Sequence, residues 1–493
     1  MGSISTEGSK TGVEFEGKTF DVQFGEFGTY LEETNAYLQQ ALPYVANDTQ
    51  KRMLEKYIEH YQTGSIPTHK DSQRAWIADK GPVVETNMGW IETYIDPENA
   101  RAYFEGWVAI VDKPKSEKFR RLVVNSEAII PKLPWPKEYE KENFLAPDFT
   151  TLEIIAFATN SCPLGINIPN YDDIRDNEGF KNLFLNNSLG SYAISAMQFA
   201  TEEQSAVLSE NTIRCYEVHV ACHELLGHGV GKLIYRNEDG SYPLTFVDPI
   251  TKETYQSCYE KEDTWNNKFG SFSTSYEECR ADTCGFYLAV LPEVYTLFGF
   301  EDSEVENLLW CNVMNQLRKG VLGLQLYNAE TKKWGQAHTQ GAYVFTQYIY
   351  QNQGDSKIIS FEILENDDFR IHLDKELLFK EGQKHISDLL IILQTYKSSG
   401  ATERAKAFYD KYSAVDEYFL KVRDIVINKK KPRRVELNNN LNRIDESQIE
   451  PVVYPETFEG IIQSYADRFP FNQAFVDQII GEWNKTKEHL RVE

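Results

Sequence analysis

His223-Glu224-Leu225-Leu226-Gly227-His228 places a carboxylate directly after one histidine and a second histidine five positions on. Two neutral imidazoles and an adjacent glutamate are what a catalytic zinc hydrolase needs: two ligands and a base. The common spacing for such a pair is i and i+4, on one helix face. Here the spacing is i+5, which at 3.6 residues per turn sets the rings about 140° apart instead of about 40°. A regular helix cannot aim both at one ion, so one extra residue must be absorbed as a π-bulge. Gly227 sits where that distortion is least costly sterically. Spacing alone also allows a rival pair, His219 and His223, which are four apart and share a helix face with His228 displaced. That pair leaves Glu224 without a role, and a core or supporting histidine is the simpler reading of His219.

A catalytic zinc keeps three protein ligands and one open position. The third ligand is sought in Ser275-Tyr276-Glu277-Glu278-Cys279-Arg280-Ala281-Asp282, about fifty residues on. The stretch Tyr276–Leu291 is rich in Ala, Leu and Cys and reads as a buried helix. Glu277 and Glu278 differ by about 100° around it, so only one can face the metal. Glu278 and Asp282 are i and i+4 and share a face. This gives Glu278 as ligand, Asp282 as acceptor for one imidazole N–H, and Glu277 as acceptor for the other. The alternative is a solvated acidic turn, which explains poorly why the charges adjoin Cys279, Ala281 and Cys284. One zinc ion per chain is expected.

These two segments together resemble the dipeptidyl peptidase III family of zinc metallopeptidases. Further stretches carry the likeness: Trp76-Ile77-Ala78-Asp79-Lys80-Gly81-Pro82, Gly89-Trp90-Ile91-Glu92-Thr93-Tyr94, Gly165 to Asp173, and Gln336-Ala337-His338-Thr339-Gln340. The similarity spans about Phe20 to Phe469. It implies that His223, His228 and Glu278 bind zinc and that Glu224 activates water and passes its proton to the leaving amine. It also implies that Glu92, Asn167 and Asn170 hold the free N-terminus and backbone of a short peptide. Tyr94 and His338 would stabilise the oxyanion, and Arg433 and Arg434 would attract the carboxyl end. Strand character in Gly165–Asn170 would let substrate pair by β-addition. Without the family, each has a plainer reading: one more acid, a turn around Pro169, a core histidine, a solvated basic loop at 429–434.

Two departures from the family bear on activity. Members carry a long segment ahead of the matched region, building much of a second lobe across the cleft. This chain begins only just before that region, so it reads as a shortened member with part of the opposing wall absent. Position 342 is Ala where the family has His-x-x-x-Arg, and Trp265 is followed by Asn266 where Asp is expected. If that Arg and Asp pair in the family, loss of both together avoids an orphaned buried charge. These departures keep two alternatives open beside dipeptide release: a redeployed zinc enzyme acting on a non-peptide metabolite, and a peptide-binding protein with little catalysis.

The remaining composition narrows the partners. Lys plus Arg is 51 and Asp plus Glu 75, a formal charge of −24. That disfavours nucleic acid and favours neutral or cationic ligands such as a short peptide or small molecule. Seven scattered cysteines fit reduced thiols in a cytoplasmic protein. No apolar run is long enough to span a membrane. Met1-Gly2-Ser3-Ile4-Ser5-Thr6 matches a short N-myristoylation pattern at Gly2, though one acyl chain holds membranes only weakly. The oligomeric state is not legible.

The elements that must position these residues are read as follows. Residues 1–18 are polar and loose. Residues 19–112 form a reduced α/β lobe, helical over 30–62 and with strands over 76–111. Residues 113–425 form the helical zinc domain, with strand 165–170 on the cleft floor and a polar loop at 236–275. Residues 426–493 are a linker and a closing helix near 455–488. The fold class is mainly α with a smaller α/β part, two-lobed around a zinc cleft.

Overall fold

A computed structural model describes residues 2–94, 96, 101–158, 163–188, 198–429, 440–443, 449–455, 458–468 and scattered positions between 473 and 484. The helical stretch expected over 30–62 is two helices, α1 (Gly28–Ala41) and α2 (Asp48–Thr63), separated by a turn at Leu42–Tyr44. Asn47 caps α2 by accepting from the Gln50 amide. Gly64 ends it with φ +73°, a conformation glycine adopts without strain. Helix α3 (Ile66–Ala78) follows, capped by Ser65.

A five-stranded sheet then forms from β1 (Val84–Glu92), β2 (Tyr103–Val111), β3 (Asp148–Ala158), β4 (Gly165–Ile168) and β5 (Lys181–Leu185), in the order β1-β2-β3-β5-β4. Only β3 and β5 pair in parallel. This sheet draws strands from both sides of residue 112, so the boundary expected there cuts through one structural unit. The reason is that β3 and β5 are covered on both faces. Leu152, Ile154, Leu183 and Leu185 pack towards α1–α3 with Tyr57 and Trp76. Phe149 and Phe184 meet Phe119 of α4 (Lys113–Ile129), with ring centroids 4.7 and 4.9 Å apart. A strand buried on both faces reads as a continuous apolar run, without the period-2 alternation that would mark it. Under the first core, Lys181 pairs with Glu85 at 2.9 Å, both side chains almost wholly buried. Glu85 also accepts from the Trp76 indole at 2.7 Å.

The second core is helical. Its central elements are α5 (Glu202–Cys222), α6 (Ser273–Leu288), α7 (Asp302–Leu322), α8 (Ala337–Asn352) and α9 (Gln383–Ser399). Helix α6 starts three residues before the expected Tyr276 and ends at Leu288. The polar loop 236–275 contains a two-stranded pairing, Phe246–Val247 with Thr254–Tyr255, and a short helix at Trp265–Phe269.

The ends differ from expectation. Ser3 is fully buried and Ile4 donates to the Tyr61 carbonyl, so residues read as loose lie against α2. Gly2 packs on the Trp90 ring, where a Cβ would come within 1.9 Å of Cη2. An exposed hairpin covers Lys10–Val22. The Asn-rich linker contains the strand Asn440–Arg443, paired with Ile449–Val452. The closing helix is described over Phe458–Arg468. Arg433 and Arg434 lie outside the described residues. Among the described residues no helix is long and apolar enough to cross a membrane.

Candidate metal centre and cleft

Helix α5 is capped by a reciprocal Thr201–Gln204 box and runs without a break into a π-helical turn over His223–His228. The extra residue per turn is what an i+5 pair requires, and it brings the two Nε2 atoms to 3.1 Å. Gly227 serves close packing: a Cβ there would lie 2.9 Å from Ala281 Cα, Cβ and O on α6. Helix α6 can therefore press Glu278 against the turn. Glu278 Oε2 lies 3.4 Å from His223 Nε2 and 3.7 Å from His228 Nε2.

The opposite ring nitrogens fix the tautomers, inferred from the hydrogen-bond network. His223 Nδ1 lies 2.8 Å from Asp282 Oδ1, and His228 Nδ1 lies 3.1 Å from Glu277 Oε1. Both Nδ1 atoms therefore donate. Burial opposes charge on His223 while Asp282 and Glu278 favour it; as metal ligands both rings would be neutral and turn their Nε2 lone pairs to the same point. Glu278 Oε1 accepts from the Tyr94 hydroxyl at 2.8 Å, but Oε2 is buried without a hydrogen-bond partner. Three acceptors facing one another in a buried space repel unless a cation sits among them. A tetrahedral zinc with ligand bonds of about 2.0–2.1 Å has edges of about 3.3–3.4 Å. The 3.1, 3.4 and 3.7 Å edges observed bracket that value. The residues present fit the ion.

The rival cluster is also close-set: His219 Nε2 lies 3.2 Å from the same Asp282 oxygen. There, however, the carboxylate is already satisfied, because Oδ2 accepts from Gln316 at 2.9 Å and Lys319 at 3.1 Å. The orphaned carboxylate oxygen belongs to Glu278. His219 Nδ1 is also unpartnered, but its Nε2 is spent on an Asp282 carboxylate that is already full, so His219 supports Asp282.

The outer carboxylates are held as anions. Burial opposes ionisation of Glu277, but Arg280 and Lys397 keep its carboxyl well below the usual range. Arg280 donates twice to Glu277, at 2.9 and 2.5 Å, and Lys397 once, at 2.6 Å. Glu224 sits 4.0 Å from His223 Nε2 and is pushed up to about 8, first by burial and then by the nearby Glu278 and Glu92 charges.

A further wall of the site comes from the sheet and the start of α8. Tyr94 follows the end of β1, and its ring lies 5.1 Å from that of His338 at the start of α8. His338 Nε2 is 3.3 Å from Glu278 Oε2, while its Nδ1 lies 3.0 Å from the Gln336 amide nitrogen. Glu92 accepts from Asn170 at 3.1 Å, and burial raises its carboxyl to about 7. Asn167 donates to the Glu224 carbonyl at 2.8 Å. Edge strand β4 thus lies directly beside the π-turn, and a Cβ on Gly165 would come within 2.4 Å of Glu224 Oε1. Ala342 is wholly buried, and Asn266 accepts from the Ser273 hydroxyl at 3.2 Å. Neither departure leaves a charge exposed to the cradle.

Sequence reasoning missed several residues that the structure brings here. Arg175 Nη1 donates to the Asn167 and Pro169 carbonyls at 3.2 and 3.1 Å, and Nη2 reaches the His228 carbonyl at 3.5 Å. It ties the edge strand to the π-turn. Glu105 is buried near Glu92 and pushed up to about 8, first by burial and then by that charge. Its signal was available: Glu105 shares a strand face with Trp107 and Ala109, an acid on an otherwise apolar stripe. Lys319 and Lys397 carried no local signal.

The sequence matches peptidase family M49 over residues 3–469, starting earlier than the Phe20 read from motifs. It is 39% identical over 482 residues to dipeptidyl peptidase 3 of Rattus norvegicus, covering 95% of this chain and 65% of that protein. The enzyme of the same name from Nematostella vectensis is 40% identical over 473 residues, at 94% and 65% coverage. The chain therefore spans 65% of the length of these relatives. Among solved structures, DPP III from Corallococcus sp. strain EGB superposes with a TM-score of 0.64 at 17% identity, covering 85% of this chain and 71% of that one. DPP III from Caldithrix abyssi gives 0.60 at 19% identity, with 85% and 72% coverage. At these identities the superpositions speak to the fold, which is the two-lobed one expected. Taken with the π-turn, the carboxylate-backed histidines and the family match along nearly its whole length, this chain belongs to peptidase family M49.

Proposed function

We propose that the chain is a zinc-dependent peptidase that releases dipeptides from the free N-terminus of short peptides. The observation that carries this reading is the orphaned Glu278 Oε2, facing two imidazole lone pairs with Glu224 alongside. The names of the relatives support the dipeptidyl specificity. His223, His228 and Glu278 would hold the ion. When bound, zinc supplies Lewis acidity and lowers the pKa of water towards about 7.

The chain's own residues do the rest. Glu224 takes the proton of the attacking water and returns it to the leaving amine. A carboxyl raised by burial is suited to both steps, because its pKa lies near working pH. Tyr94 and His338 both reach Glu278 at the cradle, and from there donate to the developing oxyanion. Glu92 receives the peptide ammonium, with Asn170 fixing its carboxylate. The substrate backbone lies along β4, whose position at the sheet edge suits strand addition. Asn167, on that strand, donates to the Glu224 carbonyl and ties the strand to the π-turn. We assign Arg433 and Arg434 to the carboxyl end of the peptide on the family resemblance alone. A cytoplasmic location fits six buried, unpaired cysteines among the described residues.

The test is hydrolysis of dipeptidyl arylamides by zinc-loaded protein. The reading expects turnover that a chelator removes and added zinc restores. Zinc-loaded, folded protein without turnover on any such substrate would overturn it.

A further inference from the structure

We propose that Lys319 is a positioning residue for the metal cradle, acting through Asp282. The proposal rests on the reading that His223, His228 and Glu278 hold a divalent metal. Asp282 is buried, and each of its oxygens is used twice. Oδ1 faces His219 Nε2 at 3.2 Å and His223 Nδ1 at 2.8 Å. Oδ2 accepts from Gln316 at 2.9 Å and Lys319 at 3.1 Å. A carboxylate has about four lone-pair sites, so this one is full. With His219 neutral through burial and His223 neutral as a metal ligand must be, Lys319 is the cation among these four partners. It comes from α7, which carries none of the candidate ligands. The neighbouring Gly320 seats α7 closely on α8, since a Cβ there would lie 2.8 Å from the Ala342 carbonyl oxygen. That contact fixes where the lysine starts.

The other imidazole is backed differently. Glu277 also has a lysine, Lys397, but Arg280 grips both of its oxygens as well. Without Lys397, Glu277 stays clamped. Without Lys319, Asp282 Oδ2 keeps only a neutral amide, and the carboxylate can turn away from His223 Nδ1–H. The imidazole then loses the acceptor that fixes its tautomer and aims Nε2 at the metal.

Two effects of removing Lys319 oppose each other. Deleting a positive charge near a cation tightens metal binding; freeing Asp282 weakens it. The Lys319 side chain is 32% exposed, so solvent screens its field at range, whereas its contact is with a carboxylate only 3% exposed. Loss of positioning therefore wins.

The experiment measures zinc affinity of the full chain by chelator competition, with the cobalt(II) absorption spectrum as a second readout. K319M should bind zinc about 10-fold more weakly, at the lower end of what outer partners of metal-binding histidines contribute. Its cobalt spectrum should broaden, K319R should recover most of the affinity, and K397M should lose less than K319M. K319Q keeps a hydrogen bond to Oδ2 without charge and should fall between. It also covers the case in which the methionine variant fails to fold. Affinity in K319M or K319Q that is unchanged or tighter would overturn the proposal, as would an equal loss in K397M. Failure of the unsubstituted protein to bind zinc would be seen before any variant is made. It would overturn the cradle reading itself, and the proposal with it.

Discussion

Replacing Gly165 with Ala perturbs the site by a single methyl group. The β4 backbone at this position accepts any L-residue, since Gly165 is not among the positive-φ glycines. The added Cβ would lie 2.4 Å from Glu224 Oε1 and 2.9 Å from Cδ and Cγ. Ordinary contact needs about 3.4 Å, so the carboxylate must retreat by about 1 Å. It can do so cheaply, because it is the end of a flexible side chain and not backbone. The cost to folding is that of modest overpacking, about 1–3 kcal/mol. The cost to chemistry is larger. A misplacement of about 1 Å in a catalytic group lowers turnover about 10²-fold, or about 2.7 kcal/mol in the barrier. The zinc cradle is untouched, so metal content should stay constant. The assay compares kcat on a dipeptidyl arylamide, zinc content and melting temperature in G165A and the unsubstituted protein. Unchanged kcat in a folded, zinc-loaded G165A would refute both the placement of Glu224 against β4 and its role in proton transfer.

Other outcomes follow from the same geometry. E224Q keeps the shape and should retain zinc while losing about 10²–10⁴-fold in kcat, as read by zinc content and turnover together. Glu92 is raised to about 7 by burial, so it is neutral below that pH and ionised above it. Binding of a non-cleavable unblocked peptide should therefore weaken as pH falls through about 7 and again above about 8, where the peptide amine loses its proton. E92Q should abolish the acid limb, and a flat profile in the unsubstituted protein would remove Glu92 as the amine anchor. K181M leaves buried Glu85 uncompensated and should cost about 3–5 kcal/mol of stability in a denaturant titration, with activity per folded molecule unchanged.

What could be read from sequence divides by the range of the interaction. The π-turn was legible because an i+5 histidine pair has no regular helical solution. The placements of Glu277, Glu278 and Asp282 are legible because helical phase alone separates them. Gly227 has a local reason in the sequence, the bulge, whereas in the structure its close contact is with Ala281 on another helix. Strands β3 and β5 lie in a region whose apolar spacing reads as helical, since burial on both faces removes their alternation. Lys319 and Lys397 reach the site only through tertiary packing, each on an element with no motif and with nothing within a turn of it in sequence to record what it will meet. Arg175 stands just past the Gly165–Asp173 stretch and folds back on its carbonyls. The pairing of residues from both sides of position 112 in one sheet was hidden for the same reason.

The most direct test is product analysis by mass spectrometry of one unblocked octapeptide and its N-acetylated twin, each incubated with zinc-loaded protein. The account predicts a ladder of products shortened by two residues from the N-terminus of the free peptide, abolished by chelator, and no cleavage of the acetylated one. Equal cleavage of both peptides, or internal cuts without a two-residue step, would contradict it.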